Sequence, residues 1–200
     1  MLAEPSPPRL SDLRAGSDSA WNDAVRILGP PLRGFIAARG ARDPDATLGD
    51  VFLDLTRGID RLDGDWASFR TLAFVVARRR VVDDLRAAAR RPTEAVDWQA
   101  LDRAIVGGDV EQEAMRQLDR SWMLDLLSDL TEIQRDVLTM RFISGLTIQE
   151  VASITGSTET GVKANQRRGL TALRKRLENA DAAHGDPSLD HVAVALGASS

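Results

Sequence analysis

Residues 145–177 read GLTIQEVASITGSTETGVKANQRRGLTALRKRL, and this spacing predicts two helices joined by a tight turn, a helix-turn-helix. Thr147 precedes Glu150 by three residues, the reciprocal pattern that satisfies free backbone N–H groups at a helix start. Ala152 is small where a second helix must approach closely, and Gly156 permits a left-handed turn. Thr158 is placed to cap the second helix. On that helix Val162, Gly169 and Leu173 share an inward face. Thr160, Lys163, Ala164 and Arg167 share the opposite one, where such a helix meets base edges and phosphates. With Asn165 and Arg168, the candidate DNA-contacting set is Thr158, Thr160, Lys163, Ala164, Asn165, Arg167 and Arg168; Arg174 and Arg176 extend the basic surface. Gly161 and Gly169 each cost about 1 kcal/mol against alanine in a helix interior, and Gln166 falls at an inward position.

Outward from this motif, apolar residues recur at helical spacing and no alternating strand pattern of useful length occurs. Leu124, Leu127, Leu130, Val137, Leu138, Phe142, Val151, Ile154, Val162, Leu170, Leu173 and Leu177 are expected to form one core over residues 118–179. An earlier body, residues 18–92, draws on Val25, Ile27, Leu28, Leu32, Phe35 and Ile36, with Gly29-Pro30-Pro31 expected to interrupt that stripe. It continues through Val51, Phe52, Leu55 and Ile59, then Phe69, Leu72, Ala73 and Val76, to Leu85. Residues 93–117, with Trp98, Gly107, Gly108 and many acids, read as an acidic linker. The Pro/Ser-rich lead 1–17 and the tail 180–200 read as weakly structured, apart from one short helix over 189–196. The fold class is therefore all-α, two small helical domains on an acidic linker.

The net charge of −4 conceals strong segregation. Residues 43–65 hold seven acids and two arginines, and 93–119 hold the same numbers. Residues 68–92 hold seven arginines and two acids, and 161–178 hold six bases and one acid. Polyanion binding needs local positive charge rather than a positive total, so two basic blocks can hold DNA at two points. The acidic linker between them could also draw the free chain closed. Within the first body, an acidic helix leads through a short loop, residues 62–68, into the arginine-laden helix. Trp66 and Phe69 beside Arg70, Arg78, Arg79 and Arg80 combine aromatic faces with positive charge, as an unstacked single strand requires.

The chain has no cysteine, and its two histidines, His184 and His191, lie near the C-terminus. Thiolate or histidine chemistry in the body is thus excluded, and no metal, cofactor or catalytic residue is expected. An enzyme built on carboxylates such as Asp83 and Asp84 fails on geometry, because helix neighbours point about 100° apart. The N-terminus lacks a basic start followed by an apolar stretch, and no run reaches the length needed to span a bilayer, so a cytoplasmic protein without membrane insertion is expected.

Taken together, DVFLDL (50–55), the loop and arginine helix, LTEIQRDVLTMRF (130–142) and the helix-turn-helix resemble the sigma-70 family of bacterial sigma factors, of the minimal extracytoplasmic-function type that keeps regions two and four. The resemblance implies a non-enzymatic subunit that binds core RNA polymerase and promoter DNA and is open to control by an anti-sigma factor. It implies polymerase docking at Asp50 and Asp54. It further implies minus-ten recognition and melting by Trp66, Ser68, Phe69, Arg70, Arg78, Arg79 and Arg80, and minus-thirty-five recognition by the second helix of the helix-turn-helix. The family commonly has proline where Thr131 stands and tryptophan where Leu72 stands. A stand-alone helix-turn-helix regulator with a helical sensor or dimerisation domain is the alternative; it leaves the pattern of residues 50–92 unexplained.

Overall fold

A computed structural model describes residues 6–90 and 126–184, and among these every regular element is helical. The linker 93–117, residues 118–125 with Leu124, and the expected helix at 189–196 lie outside the described residues.

The first helix, α1 (Leu10–Arg14), falls in the lead expected to be unstructured. Leu10 and Leu13 are one turn apart and both buried. The Trp21 indole donates to the Leu13 carbonyl at 3.0 Å, and the Arg14 guanidinium donates to the carbonyls of Ile59 and Leu62. Two leucines and a docked arginine outweigh the polar composition around them.

Helix α2 (Asp18–Ala38) runs through Pro30 and Pro31 without the expected break. A proline pair inside a helix removes two backbone donors. Here Leu28, Leu32, Phe35 and Ile36 are all buried on one stripe spanning the prolines, so burial on both sides holds the helix together while Pro30 faces solvent. Val25, by contrast, is exposed rather than part of that stripe.

Helix α3 (Pro44–Gly58) begins with Asp43 accepting from the backbone N–H groups of Asp45 and Ala46 at 3.1 and 2.9 Å, with Pro44 at the first helical position. A 3-10 turn, Ile59–Arg61, leads to helix α4 (Trp66–Arg90). The loop is shorter than expected and ends at Asp65, whose carboxylate accepts from the Ser68 N–H at 3.0 Å. Those hydrogen bonds hold the Asp65 carboxyl below the usual carboxylate range.

In the second body, Thr131 caps helix α5 (Glu132–Leu138) through a reciprocal pairing with Gln134. A π-helical turn, Thr139–Ile143, follows. Its Ser144 N–H reaches back five residues to the Thr139 carbonyl at 3.1 Å. The extra residue shifts the phase of the helix. Met140 is therefore fully buried, whereas Phe142, expected in the core, is 49% exposed. Helix α6 (Ile148–Thr155) and helix α7 (Glu159–His184) form the helix-turn-helix, and α7 outlasts the expected end of the domain by several residues.

The two bodies are not separate. One apolar cluster runs from Leu13, Phe35, Phe69, Phe74 and Val81 into Val137, Met140, Leu146, Val151 and Val162. A smaller cluster joins Ala38 to Leu127, Leu130, Leu138 and Leu173. Helix α2 packs on the π-helical turn and α4 on α6.

Gly169 explains itself in this packing. A Cβ there would lie 2.8 Å from Leu138 Cδ1 and 3.2 Å from its Cγ, so glycine lets α7 lie against α5. Gly169→Val is expected to lower unfolding free energy by about 1–3 kcal/mol through overpacking, despite valine's better helix propensity. Urea denaturation of the full chain checks this; unchanged or raised stability would contradict the close approach.

Candidate nucleic-acid interface

The helix-turn-helix is assembled as its sequence dictates. The Thr147 hydroxyl accepts from the Glu150 N–H at 3.2 Å while the Glu150 carboxylate accepts from the Thr147 N–H at 2.7 Å. Gly156 closes α6 at φ 66°, a conformation that L side chains rarely adopt. The Thr158 hydroxyl then accepts from the Gly161 N–H at 3.0 Å, which starts α7. Val162, Gly169 and Leu173 are buried, so the roots of α7 are fixed.

The opposite face carries the predicted contacts. Thr158, Thr160, Lys163, Arg167 and Arg168 are exposed. Ala164 and Asn165 are half-buried, and the Asn165 amide donates to the Gly161 carbonyl at 3.0 Å. Among the described residues, Lys163 and Arg167 take part in no ion pair. Gln166 does turn inward, leaving its amide oxygen buried and unpaired.

The first body divides its predicted set. Phe69 has no exposed surface; it packs edge-on against Trp21 at 5.9 Å and tilted against Trp66 at 5.5 Å. It is a core residue and presents no face to a base. Trp66 covers it, half-buried at the first position of α4, and Ser68 bonds Asp65 beside it. Arg78, Arg79 and Arg80 step round α4 by about 100° each and reach three different places. Arg79 is exposed and pairs loosely with Asp83 at 3.8 Å. Arg80 reaches α3, donating to Asp54 at 2.7 Å and lying 3.8 Å from Asp50, which raises its already high pKa. It belongs with Asp50 and Asp54 rather than with a DNA-facing set. Asp84 accepts from Thr47 at 3.2 Å, so Asp83 and Asp84 form no carboxylate pair.

Arg78 and Arg70 cross to the second body. Arg78 Nε donates to Asp136 at 2.6 Å, and Arg70 lies 3.4 Å from the Glu150 carboxylate and donates to the Gly145 carbonyl at 3.3 Å. Asp136 is wholly buried, with the equally buried Arg39 at 3.0 Å on its other oxygen; Arg39 also meets Glu132 at 3.3 Å. Burial pushes the Asp136 carboxyl above the usual carboxylate range, and the charges of Arg39 and Arg78 oppose that shift. The sequence reading missed Arg39, Glu132 and Asp136. One signal was present: Asp136 stands an i+3 step after Ile133 and an i−4 step before Met140, on a face meant for apolar residues.

Among the described residues no cluster of His, Cys, Asp or Glu could hold a metal ion, and no helix is long and apolar enough to cross a membrane.

The family described as "Sigma-70, region 4" matches residues 126–175. The ECF RNA polymerase sigma factor ShbA of Streptomyces griseus is 32% identical over 131 residues, which cover 64% of this chain and 69% of that protein. The chain belongs to the ECF sigma factors of the sigma-70 family. The ECF RNA polymerase sigma factor SigK of Mycolicibacterium vanbaalenii is 27% identical over 145 residues, 71% of this chain and 74% of SigK. A solved structure, "Structure of CnrH in complex with the cytosolic domain of CnrY", has the same fold, with a TM-score of 0.66, 18% identity, and coverage of 85% of this chain and 95% of that one.

The sigma factor thus directs transcription initiation by RNA polymerase. Matches of 131 and 145 residues extend well beyond the helix-turn-helix, which disfavours the stand-alone regulator. The burial of Phe69 also fixes how its substitution reads out. Phe69→Ala is expected to lower unfolding free energy by about 3–5 kcal/mol, so lost activity there reports a lost core. Chemical denaturation of the free chain checks this; a loss under about 1 kcal/mol would return Phe69 to the candidate surface.

Proposed function

We propose that this sigma factor grips promoter DNA at two surfaces and core polymerase on a third, without catalysing a reaction of its own. The observation that carries this is the α7 face: Lys163 and Arg167 stand exposed on a helix whose other side is anchored by Val162, Gly169 and Leu173. A rigid helix with cations on one side is suited to the major groove, where Thr160, Ala164, Asn165 and Arg168 are in reach of bases or phosphates of the minus-thirty-five element.

The polymerase surface is the outer side of α3. Leu53, 53% exposed, lies between Asp50 and Asp54, and Arg80 holds Asp54 in place. An apolar residue flanked by positioned carboxylates suits a basic docking helix on a partner. The minus-ten surface comprises Trp66, Ser68, Arg70, Arg78 and Arg79 on α4, with melting driven by capture of bases leaving the stack. Such a protein works in the cytoplasm, where polymerase and DNA are. That CnrH was captured with the cytosolic domain of CnrY supports an anti-sigma factor as a further partner.

The decisive experiment mixes the purified chain with core RNA polymerase and asks for promoter-specific open complexes; failure to form them rejects the proposal. Arg167→Ala is expected to weaken upstream promoter binding while leaving polymerase binding intact. If Arg167 meets a phosphate, the slope of log affinity against log salt falls by about 1; if it meets a base, sequence preference changes. Asp50→Arg is expected to abolish association with core polymerase, and normal assembly of that variant would overturn the docking surface.

A further inference from the structure

We infer that the contact between the two bodies is a latch, in which carboxylates of the second body occupy the guanidinium groups that the first body needs for promoter DNA. This rests on the minus-ten role proposed for Arg70 and Arg78. Both point at the second body: Arg78 at Asp136, 2.6 Å away, and Arg70 at Glu150, 3.4 Å away. A carboxylate on a guanidinium makes the same charge-assisted contact that a DNA phosphate makes. Asp136 and Glu150 therefore stand in for phosphates, and the closed chain and the promoter compete for the same two side chains.

An independent observation comes from α2. Gly34 sits inside a 21-residue helix, where glycine costs about 1 kcal/mol against alanine. Among the described residues, and apart from the helix's own nearby backbone, the one atom within 4 Å of a Cβ built there is Ile143 Cγ2, at 2.8 Å, from the second body. Among the described residues of its own domain no side chain crowds this position, and the inter-body contact accounts for the glycine. The Ser144 hydroxyl donates to the Pro31 carbonyl at 3.0 Å and seats the π-helical turn against the same stretch of α2.

The contact is also built to open. Arg39 Nε and Asp136 Oδ1 lie 3.0 Å apart yet out of hydrogen-bond alignment, so neither atom is fully satisfied. Burying a charge with imperfect compensation returns little net stability. Arg70, Arg78 and Glu150 keep part of their surface in water, so water and competing phosphates can reach the outer part of the seam. The seam has an apolar part as well, where Met140, Leu146 and Val151 join the core of the first body, so release requires polymerase and DNA contacts to replace it. At the polar edge, carboxylate partners are exchanged for phosphate partners.

The chain has no cysteine, so a paired Gly34→Cys and Ile143→Cys substitution introduces its only thiols. Ile143 Cγ2 lies 2.8 Å from a Cβ at position 34. That proximity brings the two Cβ atoms near the separation of about 3.8 Å that a disulfide spans. In the free chain the pair is expected to oxidise readily, far faster than a control pair at Leu53 and Ile143. The oxidised chain should lose at least about tenfold in binding a single-stranded minus-ten oligonucleotide and in promoter-specific initiation with core polymerase, and reductant should restore both. Oxidation no faster than in the control pair, or an oxidised chain as active as the reduced one, would overturn the latch. Gly34→Leu, a better helix former, should retain helix content yet expand in small-angle scattering; unchanged dimensions would also overturn it. If the unmodified chain fails to initiate with core enzyme, the proposed function falls by itself, while cross-linking, scattering and oligonucleotide binding still decide the latch.

Discussion

Asp136 has no exposed surface, and a carboxylate so far from water persists only where positive charge and hydrogen bonds replace its solvation. Arg39, at the C-terminal cap of α2, and Arg78, midway along α4, provide that compensation from two helices of the other body. The requirement fixes more than one contact. It sets α5 over the end of α2, brings Ala38 into the cluster of Leu127, Leu130, Leu138 and Leu173, and directs the π-helical turn onto Gly34. The relative orientation of the two bodies meets both demands at once, neutralising this acid and closing the apolar cluster that the bodies share.

The parts of the molecule governed by local rules were legible in the sequence. Thr147 with Glu150, Gly156, Thr158 and the inward set Val162, Gly169 and Leu173 each act within a few residues or one helix turn, and each stands where its spacing placed it. The capping pattern at Thr131 and Gln134 follows the same rule and could have been read equally early. Long-range burial was hidden. The helix through Pro30 and Pro31 survives because of residues packed from other elements, and Leu10 and Leu13 fold a lead whose composition argues against it. The extra residue of the π-helical turn cannot be deduced from periodicity, because periodicity assumes a constant turn; Phe142 was misplaced for that reason.

The arginine triplet of α4 shows how a run of charge in the sequence dissolves into separate tasks. Read linearly, Arg78, Arg79 and Arg80 are one basic patch. On a helix they face the second body, solvent and α3 respectively, with exposures of 32%, 77% and 32% and different carboxylates for company. Block charge therefore located the helix correctly but not the surface. The recognition helix behaved differently because Lys163 and Arg167 stand at i and i+4, which keeps the two on one side.

Arg78 also bears on how variants of this protein would look in a genetic screen. A residue that contributes equally to two competing states shifts the balance between them not at all when it is removed. If one guanidinium binds Asp136 in the closed chain and phosphate in the working one, its loss subtracts from both ledgers, and the phenotype shrinks towards silence. Gly34 contributes to one state alone, so a screen for constitutive activity would recover substitutions there and pass over the arginine at the centre of the mechanism.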